Sequence, residues 1–105
     1  MEKEIIEEVI QFRDERDWEK FHTPENLAKS LSIESAELLE CFQWGSEYDK
    51  QEVSEELADI LIYAILMAES LQVNISQIIK DKLVKNGEKY PVDKSKGNST
   101  KYNKF

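Results

Sequence analysis

Two pairs of carboxylates in this chain share one spacing. Glu34 and Glu37 lie in SIESAELLE, residues 32–40, and Glu56 and Asp59 lie in EELADILIYAILMA, residues 55–68. On a helix, positions i and i+3 are neighbours, with Cβ atoms about 5 to 6 Å apart. A stripe at spacings of four, three, four and three passes through Leu27, Leu31, Glu34, Leu38 and Cys41, so Glu34 takes a core-facing position. Asp59 is followed directly by Ile60, Leu61 and Ile62. Carboxylates brought together on the approach to a core repel one another, and burying them ionised and unpaired is costly, so a cation is required. Arg13, Arg16, Lys20 and Lys29 could serve as ion-pair partners, but only Lys29 belongs to the segment of the first pair and none belongs to that of the second. A hard divalent cation suits the set better. Mg²⁺ takes oxygen ligands, retains water and is usually held by a few carboxylates together with substrate phosphates, and Mn²⁺ is its natural substitute. Zinc favours His or Cys, and the chain has one of each. A di-iron bundle needs two Glu-x-x-His pairs, which one histidine cannot supply. A Glu pair at this spacing is commonly just a solvated helix face. The combination of two such pairs, both approaching apolar stretches, points to a metal.

The elements that would position these acids read as helices throughout, with only three glycines and two prolines to interrupt them. A first helix is expected from about Lys3 to Trp18, with Ile5, Ile6, Val9, Ile10 and Phe12 as its apolar side. A second begins at Thr23, a good N-cap, with Pro24 at the first helical position and Glu25 at the positive end of the dipole, and should run to about Trp44. A third opens between Asp49 and Glu55 and runs to about Leu71. The short polar link between helices two and three favours an antiparallel hairpin, which can bring both acidic pairs together. Asn74 caps a fourth helix, with Gln77 at the capping-box position, and Pro91 stops it. The sequence therefore predicts an all-α domain over residues 1–91 and a polar, basic, extended or partly mobile C-terminal tail over 92–105.

Composition narrows the function. A chain of 105 residues with 40 % hydrophobic content fits one small domain, a size that gains by burying further surface in an oligomer. The net charge of −8 opposes binding to nucleic acid polymers or to anionic membranes. No apolar run approaches the roughly 18 residues of a transmembrane helix, and the acidic MEKEIIEEVI is unlike a secretory signal, so a cytoplasmic location is expected. Lone Cys41 beside Leu38 and Phe42 reads as a packed thiol. Residues 1–79 carry 6 basic against 19 acidic side chains, whereas residues 80–105 carry 8 lysines against 3 acids. An acidic body with a basic end could take a cation and a polyanion together, and a metal-bound nucleotide is such a pair. A solvated tail that offsets charge is the plainer alternative.

On these residues the chain resembles a known family. RDWEKFHTPENLAKSLSIESAELLECFQW, EELADILIYAILMAESL and KLVKNGEKYPVDKSKG look, in collinear order from Phe12 to Lys96, like the MazG-like branch of the all-α nucleotide pyrophosphohydrolases, and especially its short dCTP-pyrophosphatase-type members. The resemblance implies a four-helix-bundle-like MazG fold completed in a homodimer or homotetramer. It implies Mg²⁺ held by Glu34, Glu37, Glu56 and Asp59, and cleavage of a nucleoside triphosphate between its α and β phosphates to a monophosphate and pyrophosphate. Glu37 and Glu40 are then the candidate bases. Trp18, Phe21, His22 and Trp44 fall where family members line a base pocket, Asn26 where base or sugar is contacted, and Lys82, Asn86, Lys89 and Tyr90 where phosphate and sugar are held. Core packing for Trp18 and Phe21, and simple packing beside the Thr23 cap for His22, remain open. Gly87 interrupts the segment that carries Asn86 and Lys89; were it a C-cap, Lys89 and Tyr90 would leave the helical face. The implied role is a pyrophosphohydrolase for dCTP or a modified pyrimidine nucleotide, sanitising the nucleotide pool. A phosphoribosyl-ATP pyrophosphohydrolase fits the aromatic segment less well. From a different class, a non-catalytic helical module that oligomerises or senses a nucleotide also fits the periodicity.

Overall fold

The computed structural model describes residues 1–97, and all of its regular structure is helical. Helix α1 spans Lys3–Glu15, a short 3-10 turn spans Glu19–Phe21, and α2 spans Pro24–Glu40. Helices α3, α4 and α5 span Lys50–Ser70, Ile75–Lys89 and Val92–Ser95. The chain forms two compact units, Met1–Val73 and a second that begins at Asn74.

Helix starts follow side-chain chemistry. Thr23 Oγ1 accepts from the Asn26 amide at 3.1 Å, Asp49 Oδ1 from those of Gln51 and Glu52 at 2.8 and 3.1 Å, and Asn74 Oδ1 from that of Gln77 at 2.9 Å. Each satisfies donors that a helix leaves unpaired at its first turn.

Helix ends depart from expectation twice. Helix α1 stops at Glu15 and not at Trp18, because Asp17 turns left-handed at φ 53°. The Asp17 amide then reaches the Asp14 carbonyl at 3.0 Å and the Trp18 amide reaches that of Arg13 at 3.1 Å, which is a Schellman motif without glycine. Gln72, at φ 55°, ends α3 the same way, with the Val73 amide on the Ala68 carbonyl at 3.0 Å. Helix α2 ends at Glu40 and not near Trp44. Its pitch tightens there: the amides of Cys41, Phe42 and Gln43 reach the carbonyls three residues back, and the chain leaves through Gly45 at φ 143°.

In the first unit α2 and α3 pack as a hairpin closed by residues 41–49, and α1 lies against α3. Helix α3 therefore has neighbours on two sides, which explains why its second half is apolar nearly all round. Leu27, Ile65, Leu66 and Ala68 are the buried apolar side chains of this unit. In the second unit Ile75 is buried, and α4 continues through Gly87 to Lys89. Gly87 is thus no C-cap. Residues 92–95 form α5 where an extended tail is expected, with the amides of Ser95 and Lys96 bonding to Pro91 and Val92. The remainder of that tail, 98–105, lies outside the described residues.

Candidate metal centre and its cavity

The α2–α3 hairpin gathers the acids. Glu34, Glu56 and Asp59 each offer a carboxylate oxygen, all within 4.8 Å of one another. Glu37 adjoins the same group, its side chain beside those of Glu34 and Glu56. Glu34, Glu37 and Glu56 are half-buried and Asp59 is exposed. The electrostatic consequence is large at Glu34, whose carboxyl is pushed up from 4.5 to about 7, first by burial and then by Glu37, Asp59 and Glu56. Burial raises Glu56 as well, followed by Glu37, Asp59 and Glu52.

The residues present fit a hard cation. Glu34 Oε2 and Glu56 Oε2 are buried with no hydrogen-bond partner, although a buried acceptor left alone costs about 1 to 3 kcal/mol. The four cations that could have neutralised them pair elsewhere: Arg13 with Asp14 and Glu19, Arg16 with Glu15, Lys20 with Asp17 and Lys29 with Glu25. An all-oxygen donor set with unspent lone pairs is suited to a divalent metal.

Glu52 belongs to this neighbourhood and escaped the sequence reading. It stands one turn before Glu56 on α3, helps to raise Glu56, and with burial raises the Cys41 thiol. The signal was present as Glu52, Glu56 and Asp59 at spacings of four and three. Glu40, by contrast, ends α2 in an exposed position.

A cavity of about 680 Å³ opens between α1, the residues flanking the 3-10 turn and α3, and it includes Asp59 of the acidic group. Its walls are largely apolar, with Ile5, Val9 and Phe12 from α1 and Leu61, Ile62 and Tyr63 from α3. Trp18 and His22 line it as well. His22 Nδ1 is buried without a partner, and both burial and the nearby Arg13 charge lower its pKa. Phe12 and Trp18 meet edge to face at 5.9 Å. The chain brings two of the four expected aromatic or imidazole groups to this wall and leaves the other two outside it. Phe21 is 59 % exposed, and Trp44 is 92 % exposed on the turns beyond α2. Asn26 Nδ2 donates to the Phe21 carbonyl at 3.0 Å, tying the 3-10 turn to the start of α2.

Lys82, Asn86 and Lys89 lie on α4 of the second unit at spacings of four and three, and so share one face of a helix that continues past Gly87. Tyr90 follows as its C-cap.

A hairpin of helices that gathers paired carboxylates beside an apolar cavity defines a class of acidic, metal-suited helical sites. Comparison with known proteins gives the family. It belongs to the MazG-like family, whose profile matches residues 29–105. It is 38 % identical over 102 residues to dCTP pyrophosphatase 1 of Mus musculus and 34 % identical to that of Homo sapiens, covering 88 % of this chain and 60 % of each relative. The chain thus spans about 60 % of the length of these curated relatives. A crystal structure of a pyrophosphatase from Archaeoglobus fulgidus DSM 4304 is 45 % identical, with a TM-score of 0.78 over 85 % of this chain and 91 % of that one.

Proposed function

We propose that the protein is a Mg²⁺-dependent nucleoside triphosphate pyrophosphohydrolase that acts on dCTP or a related pyrimidine nucleotide. The observation that carries this reading is the pair of buried, unpartnered carboxylate oxygens on Glu34 and Glu56, set beside a largely apolar cavity that has room for a base and contains Asp59. Similarity to proteins described as dCTP pyrophosphatase and pyrophosphatase supports the bond and substrate class.

Glu34, Glu56 and Asp59 would hold the metal, which when bound supplies charge neutralisation for the triphosphate. Glu37 lies against Glu34 and Glu56 but outside the three that converge on one point, which leaves it to orient the attacking water and accept its proton on a carboxylate oxygen. The water oxygen bonds to the α-phosphorus as the bond to the bridging oxygen breaks, releasing a monophosphate and pyrophosphate. Glu40, exposed at the end of α2, is the less favoured base. The aromatic wall at Trp18 stacks the base, worth about 1 to 3 kcal/mol, and the unpartnered His22 Nδ1 reads its edge.

A homodimer or larger assembly belongs to the same reading. In the first unit Leu57, which does not line the cavity, remains 48 % exposed on α3, apolar surface that a second copy would cover. Trp44, protruding beyond α2, would reach a neighbouring copy. Removal of damaged or surplus pyrimidine nucleotides is the corresponding cellular task.

Pyrophosphate release from a panel of canonical and 5-modified nucleotides, with and without Mg²⁺, tests the assignment. Glu37→Gln and Asp59→Asn should each lower turnover by about 100-fold or more. Orthophosphate as the first product would overturn the bond assignment, and unchanged turnover in both variants would overturn the site. Nucleotide binding with metal linkage but no turnover would favour a sensing module.

A further inference from the structure

We propose that Arg13 is a positioning residue for the nucleobase, its guanidinium clamping the end of α1 to the 3-10 turn so that Trp18 and His22 are held in the cavity wall. The inference rests on the nucleotide reading only for what the cavity takes. Arg13 is 7 % exposed, and arginine is rarely that buried without a task. Its Nε donates to Asp14 Oδ1 at 2.8 Å, and its Nη2 lies 2.7 Å from the same oxygen and 3.6 Å from Glu19 Oε2. Both carboxylates are mostly exposed, so the same pairs could form from a solvated arginine. Ion-pair strength alone therefore does not account for an inward placement.

The backbone supplies the reason. Between Arg13 and Trp18 the chain reverses through left-handed Asp17, a conformation that disfavours non-glycine residues by about 1 to 2 kcal/mol and must be held from both sides. The Arg13 carbonyl holds one side by accepting from the Trp18 amide at 3.1 Å. Its side chain holds the other by reaching Glu19, the first residue of the 3-10 turn that leads to His22. One residue so fixes both groups against the cavity that it also lines. Its charge has a second effect, adding to burial in lowering the pKa of His22.

The test uses the full chain and Arg13→Gln, with dCTP as the probe. Loss of a charge-assisted clamp should raise KM about tenfold while kcat stays within about twofold and the Mg²⁺ dependence is unchanged. Arg13→Lys keeps the charge but not the planar fork, and should fall between the two. His22 is the only histidine, so its ring proton resonance can be followed directly by NMR. Its titration midpoint should rise in Arg13→Gln and stay near the wild-type value in Arg13→Lys. Wild-type KM in folded Arg13→Gln, or an unmoved His22 midpoint, would overturn the proposal; so would a parallel loss of kcat and metal response. Should Arg13→Gln not fold, exposed Glu19→Gln carries the test, with a KM rise of about threefold expected and no rise overturning it. If the wild type turns over no nucleotide, the activity reading fails while the His22 measurement still decides the clamp.

Discussion

Glu34 sits with one oxygen buried and unpartnered among other carboxylates, and its carboxyl is raised from 4.5 to about 7. A raised acid in the fold means that the folded chain binds a proton more tightly than the unfolded one. Its stabilising share is complete below 4.5 and is lost as pH climbs through about 7. Without divalent metal the melting temperature should therefore fall across that interval. Saturating Mg²⁺ should restore it, with a larger gain at the alkaline end, because a bound cation replaces the proton. Glu34→Gln removes the titration: the metal-free variant should show a flatter pH profile, respond weakly to Mg²⁺ and lose about 100-fold or more in turnover. Thermal melts across pH, with and without the metal, check all three. An unchanged profile in the variant would mean that the tension lies elsewhere in the cluster. Much of this site was legible in the sequence, since an acid in an apolar stripe signals an unmet charge. Glu52 went unread because its spacing, though present, resembles any solvated helix face, and Arg13 because no periodicity announces its burial.

Two helix starts could be read directly, because Thr23 and Asn74 advertise their caps by residue type, while that of α3 was bracketed between Asp49 and Glu55 and falls at the Asp49 cap. The ends of α1 and α2 could not be read so, whereas those of α3 and α4 fall where expected, at Ser70 and Lys89. Asp17 and Gln72 occupy left-handed positions that glycine usually fills, and nothing in their side chains signals the turn. The end of α2 was overrun because its pattern persists while the hydrogen bonds tighten from four residues to three. These two kinds of boundary make opposite predictions. Gln72→Gly should stabilise the protein by about 0.5 to 1 kcal/mol, since the native angle suits glycine and the helix interior is untouched. Asp49→Ala should destabilise it by about 1 kcal/mol by exposing two amides of α3. Helix α3 carries Glu56 and Asp59 two turns and more beyond that cap, so Asp49→Ala should also weaken Mg²⁺ binding, whereas Gln72→Gly should leave it unchanged. Urea unfolding curves and metal titrations on the same two variants separate the effects. Equal metal affinity in both would show that the first turn of α3 does not support the site.

At the scale of the whole molecule, apolar surface on α1 and α3 is the strongest reason to expect more than one copy. Helix α3 already uses one side on α2 and another on α1, yet Leu57 and Leu61, one turn apart, stay 48 and 43 % exposed. Covering such side chains contributes roughly 25 cal/mol for each Å² of apolar surface removed from water, so a second copy is worth more here than any surface ion pair. Leu57 is the sharper probe because it lines neither the cavity nor the acidic group. The 12.3 kDa chain should elute in light-scattering chromatography at about twice that mass or more, and its melting temperature should rise with protein concentration. Leu57→Lys places a charge where the interface would be buried, and should shift the population to monomer and remove the concentration dependence. Loss of activity should accompany that shift if the neighbouring copy completes the pocket with Trp44, and Trp44→Ala should then raise KM without dissociating the assembly. A monomeric wild type, or a Leu57→Lys protein that still associates, would place the partner surface somewhere other than this face of α3.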